Sequence, residues 1–531
     1  MTKESEKKIE ELENSFMAQK QEDLEKEYEQ NFMTEFEEYL FVGYEQELIE
    51  RREKSFQKWK EIEEKNYRVK KEKRWKEILE LRKKCYELIY DGTKEKKDTV
   101  TEQIAMFIER NYYIYTTKND LKTEVWFYDD DVYKPNGISK IKEISRMILD
   151  FAYTSQRVNS VIDKIKADTF IEEEVFFNSN IIDEQPVLNG VLNLKTKELS
   201  EFTPKKIFFN KVPVFYDRTA TCPKIDQFFD DVLRCSEDKQ VMYEMLGRCL
   251  YKENFIEKAF MFNGSGRNGK SKTLILLKIF LGVENTCSVP LPRLLPNSFS
   301  VCELFGKLAN IAGDLDEITI KDTGTIKSLT GRDLIGATRK FLSEIYFINY
   351  SQQIFACNTL PKVYDTSLGF WSRWVLLDFP YTFISKKEYE ELQDKINFKI
   401  RNEDIINKIA TQQELSGLLN KALEGLDRLF TQHDYSYTKG TQEVKDTWIR
   451  KSDSFVAFCI DKLEESIEEI ILKKDLRKKY VRYCKTHKIS GTSDKAMKVT
   501  LEKLFGAVTY KDSITGEYYW EGAKFKFDGK I

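Results

Sequence analysis

The stretch AFMFNGSGRNGKSKTLILLKIFLG, residues 259–282, decides the reading of this 531-residue chain. Ala259–Asn263 is a short apolar strand and Thr273–Leu281 continues as an apolar helix. Between them Gly264-Ser265-Gly266-Arg267-Asn268-Gly269-Lys270-Ser271 fits the phosphate-loop pattern G-x-x-x-x-G-K-S/T. Glycines let successive backbone N–H groups wrap an anion, and the helix start adds partial positive charge. Lys270 is placed to reach the β- and γ-phosphates, and the Ser271 hydroxyl is placed to bind Mg²⁺. With Lys272 in the first helical turn, residues 264–272 are the expected nucleotide-binding segment.

A phosphate loop needs an acid at the end of a neighbouring strand. In LANIAGDLDE (308–317), Asp314 follows an apolar run and is the expected metal-side acid; Asp316 or Glu317 would polarise the attacking water, and the spacing does not choose between them. The next apolar strand, QIFACN (353–358), ends in Asn358, whose amide can orient water against a γ-phosphate. Downstream, GFWSRW (369–374) sets Arg373 among aromatics, where it reads as a finger reaching a neighbouring copy's site. The alternative for Arg373 is a structural ion pair.

All ten prolines lie between Pro135 and Pro380, so both flanks are free to be helical. Residues 1–91 are densely charged, with Ile9, Leu12, Phe16, Leu24, Tyr28, Phe32, Phe36 and Leu40 mostly three or four apart; this reads as a helical arm, solvated or partner-binding. VWFYDDDVYK (125–134) reads as strand, acidic turn, strand. The Asp129–Asp131 cluster is read as that turn rather than a two-metal site, because three consecutive carboxylates on a strand cannot face one way. Lys473, Lys474, Arg477, Lys478, Lys479, Arg482, Lys485 and Lys488 make a basic helical stretch, followed by a second helix from Ser493 and a hairpin around Ile514-Thr515-Gly516. Phosphates would attract those basic residues whatever the base sequence.

Composition narrows the classes. With 86 basic and 89 acidic side chains the formal charge is −3, so any nucleic-acid surface is local. Nine scattered cysteines without C-x-x-C, and two distant histidines (His433, His487), argue against a zinc site or a His-based triad. There is no signal-peptide pattern at the N-terminus and no apolar run long enough to span a membrane, so no membrane partner is expected and the location is the cytoplasm, the host cell's if the chain is viral.

The ordered set GSGRNGKS, LANIAGDLDE, TGRDLIGATRK, QIFACN and GFWSRW resembles that of superfamily 3 helicases, and more narrowly the poxvirus and phage/plasmid primase-helicase family. The likeness extends upstream through NGVLNLKTKELSEFTP and MLGRCLYKENFIEKAFMFNG and covers about residues 100–531. It implies an AAA+-like ATPase that assembles into a ring, usually a hexamer, and unwinds DNA with ATP and Mg²⁺. It also implies a sensor role for Asn358, a trans-acting finger at Arg373, and a DNA-tracking hairpin carrying Arg339 and Lys340. Helix surface is the plainer reading of that basic pair. No primase domain is evident. The C-terminal unit resembles the family's winged-helix DNA-binding domain, with Arg477, Lys478, Lys479 and Arg482 as its DNA contacts.

The expected architecture is multidomain: a helical arm (1–91), an α+β domain (92–224), an α/β AAA+-like P-loop ATPase core (225–385), a helical connector or lid (386–450) and a C-terminal winged helix (451–531). The expected function is a ring-forming replicative DNA helicase of a virus, prophage or plasmid. Single-stranded DNA would occupy the channel and duplex the C-terminal domain, and a primase or polymerase would dock through the arm. Two alternatives stand beside it: a replication initiator using ATP as an assembly switch, and a nucleotide-dependent assembly protein with no DNA role.

Overall fold

The computed structural model describes residues 43–90, 94–118, 123–179, 181–294, 298–315, 319–320, 323–339, 344–363, 367–487 and 491–526. The apolar positions of the arm from Ile9 to Leu40 lie outside the described residues. Helix α1 (Gly43–Tyr90) is only partly a solvated arm. Toward its end Ile78, Leu81, Cys85 and Leu88 recur every three or four residues. They pack against Val100, Ile104 and Ile108 of α2 (Lys94–Asn111) and Ile141, Ile144 and Ile148 of α3 (Gly137–Leu149). The expected arm ending at residue 91 is corrected accordingly: its last turns belong to the core of the domain that follows. Farther back, the Phe56 and Trp59 rings each meet Phe215 edge-on at 5.5 Å.

These helices and α4 (Ser155–Asp168) bury one face of a sheet of order β3-β2-β1-β4, formed by β1 (Ile114–Thr117), β2 (Val125–Asp129), β3 (Val132–Lys134) and β4 (Phe170–Ile171). The acidic cluster is the β2–β3 turn. Asp130 and Asp131 sit at φ 54° and 65°, the paired left-handed conformation of a tight hairpin turn, and both carboxylates pair with Lys211. An antiparallel meander follows: β5 (Glu184–Val187), β6 (Gly190–Asn193) and β7 (Leu199–Ser200).

Helices α5 (Pro223–Val232) and α6 (Ser236–Leu250) lead into the central sheet. Its elements are β8 (Ala259–Asn263), α7 (Lys270–Leu281), β9 (Thr286–Cys287), β10 (Ala309–Leu315), α8 (Gly324–Thr330), a hairpin β11 (Leu334–Ala337) and β12 (Ile345–Ile348), then β13 (Gln352–Cys357), α9 (Leu368–Trp371) and β14 (Trp374–Asp378). The order is β14-β8-β13-β10-β9, all parallel. Both faces are covered, which is why these strands read as unbroken apolar runs. Phe260, Phe262, Ile354 and Val375 meet Leu277 of α7 on one face; Ala259, Met261, Phe355 and Trp374 pack with Trp448 on the other.

Past the sheet, α10 (Gln412–Gln432) lies along α6. A Cβ on Gly247 would sit 2.2 Å from the Ala422 carbonyl oxygen, so the two backbones cross with no room for a side chain. This part of the expected connector is built into the core of the parallel-sheet domain. Helix α11 (Thr441–Ser452) seats Trp448 between Trp371 and Trp374, its indole N–H donating to Pro361 O at 2.8 Å. The C-terminal unit has its own core of Phe455, Phe458, Leu476, Tyr480, Leu501 and Trp520. It runs α12 (Ser454–Lys462), β15 (Leu463–Leu472), α13 (Lys473–His487), α14 (Asp494–Phe505), β16 (Val508–Lys511) and β17 (Tyr518–Phe525), with antiparallel sheet order β15-β17-β16. The leading α12 and β15 add to the helix, helix, hairpin order read from sequence.

Candidate functional site

The glycine-rich loop lies at the C-terminal edge of the parallel sheet, between β8 and α7, where open α/β sheets bind ligands. Gly269 takes φ 85°, a left-handed conformation, and a Cβ there would meet Val232 of α5 at 2.5 Å. Only glycine turns the chain into α7 at this point. Arg267 stands exposed at the loop, 3.6 Å from Glu388; Ser271 is exposed at the helix start; and Lys272 reaches Glu403 O at 3.2 Å.

Lys270 is buried, and its ammonium group joins acceptors from two strand ends. It donates to Gly264 O, to Asn268 Oδ1 at 3.1 Å and to Asn358 Oδ1 at 3.0 Å. The loop lysine and the amide just past β13 are thus brought together across the sheet edge. Beside them burial pushes the Cys357 thiol up to about 12, so it stays neutral and unreactive at physiological pH. Strand β10 carries Asp314 to the same edge, with a ladder irregularity between Ala312 and Leu315; Asp316 and Glu317 lie outside the described residues.

Arg373 is at the other end of the sheet. Its carbonyl accepts from Ala259 N at 2.7 Å, at the start of β8, so about five residues of strand, roughly 16 Å, separate it from its own glycine-rich loop. The guanidinium pairs with Glu257 at 2.6 Å and donates to Thr330 Oγ1 at 3.1 Å and to Gly369 O.

The DNA-contact expectations divide. β11 and β12 do form a hairpin over the TGRDLIGATRK segment, but Arg339 is corrected: it makes a bidentate ion pair with Glu124, at 3.0 and 2.6 Å, with side chains 14% and 9% exposed. A guanidinium committed in this way is not offered to a phosphate backbone. Lys340 lies outside the described residues. On α13, Leu476 and Tyr480 face inward while Lys478 and Arg482 are exposed; Arg477 pairs with Asp494, and Lys479 lies 3.7 Å over the Phe525 ring.

Sequence reading missed Asp378. It ends β14 beside Asn263, whose amide donates to it at 3.2 Å, and it gathers Lys451 of α11, Lys439 at 3.5 Å and Arg234 at 3.7 Å. Burial alone raises its pKa; Lys451 and the Asn263 amide outweigh that and hold it below the usual carboxylate value. The signal was available: WVLLD is another apolar strand running into an acid at the loop's edge of the sheet.

Residues 65–234 match the family model described as D5 N terminal like. A segment of 174 residues is 30% identical to the putative helicase L207/L206 of Acanthamoeba polyphaga mimivirus, covering 32% of this chain and 18% of that protein. The chain spans under a fifth of the length of that mimivirus protein. Residues 262–373, from β8 to Arg373, match a second model, a family of unknown function (DUF5906). Among solved structures, the NrS-1 C terminal region is 12% identical with a TM-score of 0.39 over 80% of this chain and 99% of that one. The JCV helicase is 11% identical with a TM-score of 0.24 over 56% and 82%.

Proposed function

We propose that this chain is an ATP-driven DNA helicase that works as a ring, its nucleotide site completed only by a neighbouring copy. The observation that carries the reading is Lys270, whose ammonium group spans from the glycine-rich loop to Asn358 at the edge of the parallel sheet. ATP phosphates would take over those contacts. Lys270 and the loop N–H groups hold the β- and γ-phosphates, Asn358 orients the attacking water, and Asp316 or Glu317 polarises it. Mg²⁺ fits this donor set, since it asks for only one or two protein oxygens besides phosphate, and Ser271 and Asp314 are the residues that would hold it. Its chemistry is to neutralise charge building on the transferred phosphoryl group.

Arg373, remote from its own loop, serves the γ-phosphate of the next copy, which makes a closed ring, a hexamer in this reading, the working unit. The β11–β12 hairpin grips single-stranded DNA in the channel, and the C-terminal unit, read as a winged helix, holds duplex phosphates through Lys478 and Arg482. Among the described residues no helix is long and apolar enough to cross a membrane. The test is ATP hydrolysis with and without single-stranded DNA across salt concentrations. Lys270→Ala is expected to lose about a hundred- to thousand-fold in rate while still binding duplex; wild-type hydrolysis in that variant, or no response of the native protein to DNA, overturns the reading.

A further inference from the structure

The contacts of Arg373 reach the root of the hairpin. Thr330, which accepts from the guanidinium at 3.1 Å, is the last residue of α8 and leads directly into β11. Its hydroxyl donates back to Ile326 O at 2.7 Å, so its acceptor lone pairs face Arg373. Both ends of the hairpin are then clamped by one segment. The buried Asn254 amide donates to Leu329 O at 3.2 Å, Gly331 O at 3.3 Å and Asn349 O at 2.7 Å. Arg332 returns a bond to Asn254 O at 3.1 Å and pairs with Glu253 at 3.1 Å. Glu257, the ion-pair partner of Arg373, lies on this same 253–258 segment, which runs on into β8 and the glycine-rich loop.

We infer that Glu257 and Thr330 are positioning residues: they hold Arg373 in a resting place, and its departure to the neighbouring copy's nucleotide loosens the root of its own hairpin. The inference rests on the trans-acting reading of Arg373. The hold is built to be given up. The Arg373 side chain is 17% exposed but Glu257 is 52% exposed, and an ion pair with one well-solvated partner is a weak tether. A triphosphate in a water-poor interface carries several negative charges against the single charge of Glu257. When the guanidinium moves, Thr330 loses its donor and the hairpin root is left to its ties through Asn254 and Arg332. ATP in one copy is thereby reported to the DNA-facing hairpin of the next.

The experiment measures ATPase with and without single-stranded DNA, and duplex unwound per ATP, on the full chain. Glu257→Gln keeps the shape and removes the charge; the DNA-free ATPase should rise about two- to five-fold and the DNA stimulation ratio fall by the same factor. Thr330→Val should keep hydrolysis but lower unwinding per ATP, and Thr330→Ser should restore it. If Arg373→Ala hydrolyses ATP like wild type, the trans-acting reading itself fails. If Arg373→Ala is inactive but Glu257→Gln and Thr330→Val leave rates and ratios unchanged, only the coupling fails. A proportional fall of every activity with a lowered melting temperature marks a merely structural contact and also overturns it.

Discussion

Replacing Asp378 by asparagine removes one negative charge from among three cations while nearly preserving volume. Asp378 is buried, and Lys451, Lys439 and Arg234 all point at its two oxygens. A unit pair at 4 Å is worth about 4 kcal/mol at an effective dielectric of 20, before desolvation is subtracted. Truncating one partner of a buried charge cluster costs about 3–5 kcal/mol. Here Arg234 and Lys451 can turn toward water and relieve part of the mutual repulsion, so we expect a net loss of about 2–3 kcal/mol. Denaturant unfolding at pH 7 in low and high salt reads it, with the loss persisting in high salt because the carboxylate is shielded from ions. The pH dependence follows from the lowered pKa: the contribution is present above the unfolded carboxylate value and disappears as pH falls through the still lower folded one. The difference between variant and wild type should therefore shrink below about pH 4. An Asp378→Asn chain as stable as wild type at pH 7 would refute the argument that this carboxylate ties α11 to the edge of the sheet beside β8.

Glu414 makes the opposite case. Burial pushes its carboxyl up to about 7 although the N–H groups of Lys224 and Ile225 favour the charged form. A raised folded pKa means stability that is full below the unfolded value and lost as pH climbs through 7. Wild type should lose on the order of 3 kcal/mol between pH 5 and 8 relative to Glu414→Gln, a slope measurable by thermal melts of both chains. For Arg339→Ala, which strands the buried Glu124 carboxylate, we expect about 2–4 kcal/mol of destabilisation with DNA affinity and its salt slope unchanged. Arg482→Ala should do the reverse, flattening the salt slope with no effect on melting, and binding assays across salt separate the two.

The strand–glycine loop–helix turn was legible because its determinants are local. Strand, glycines, lysine and helix follow one another, and the fold has only to present them. The parallel sheet was legible for a related reason: strands buried on both faces leave unbroken apolar runs such as AFMFN, QIFAC and WVLLD. Arg339 shows where this stops. Its charge is visible in TGRDLIGATRK, but Glu124, which claims it, lies 215 positions away beside another sheet, and no local pattern announces the pairing. Helix α1 fails to be a simple arm for the same reason, since Ile78 and Cys85 are two apolar residues in a charged run until α2 and α3 are laid beside them. Arg373 lies between these cases. Sequence offered two readings, finger or ion pair, and the geometry makes them compatible. In the proposed ring, an arginine acting on a neighbouring copy needs somewhere to rest at its own sheet's far edge, and a half-solvated glutamate is a partner it can leave. Under the proposal the ion pair is the resting state, and the response of Glu257→Gln to DNA distinguishes a resting place from a permanent one.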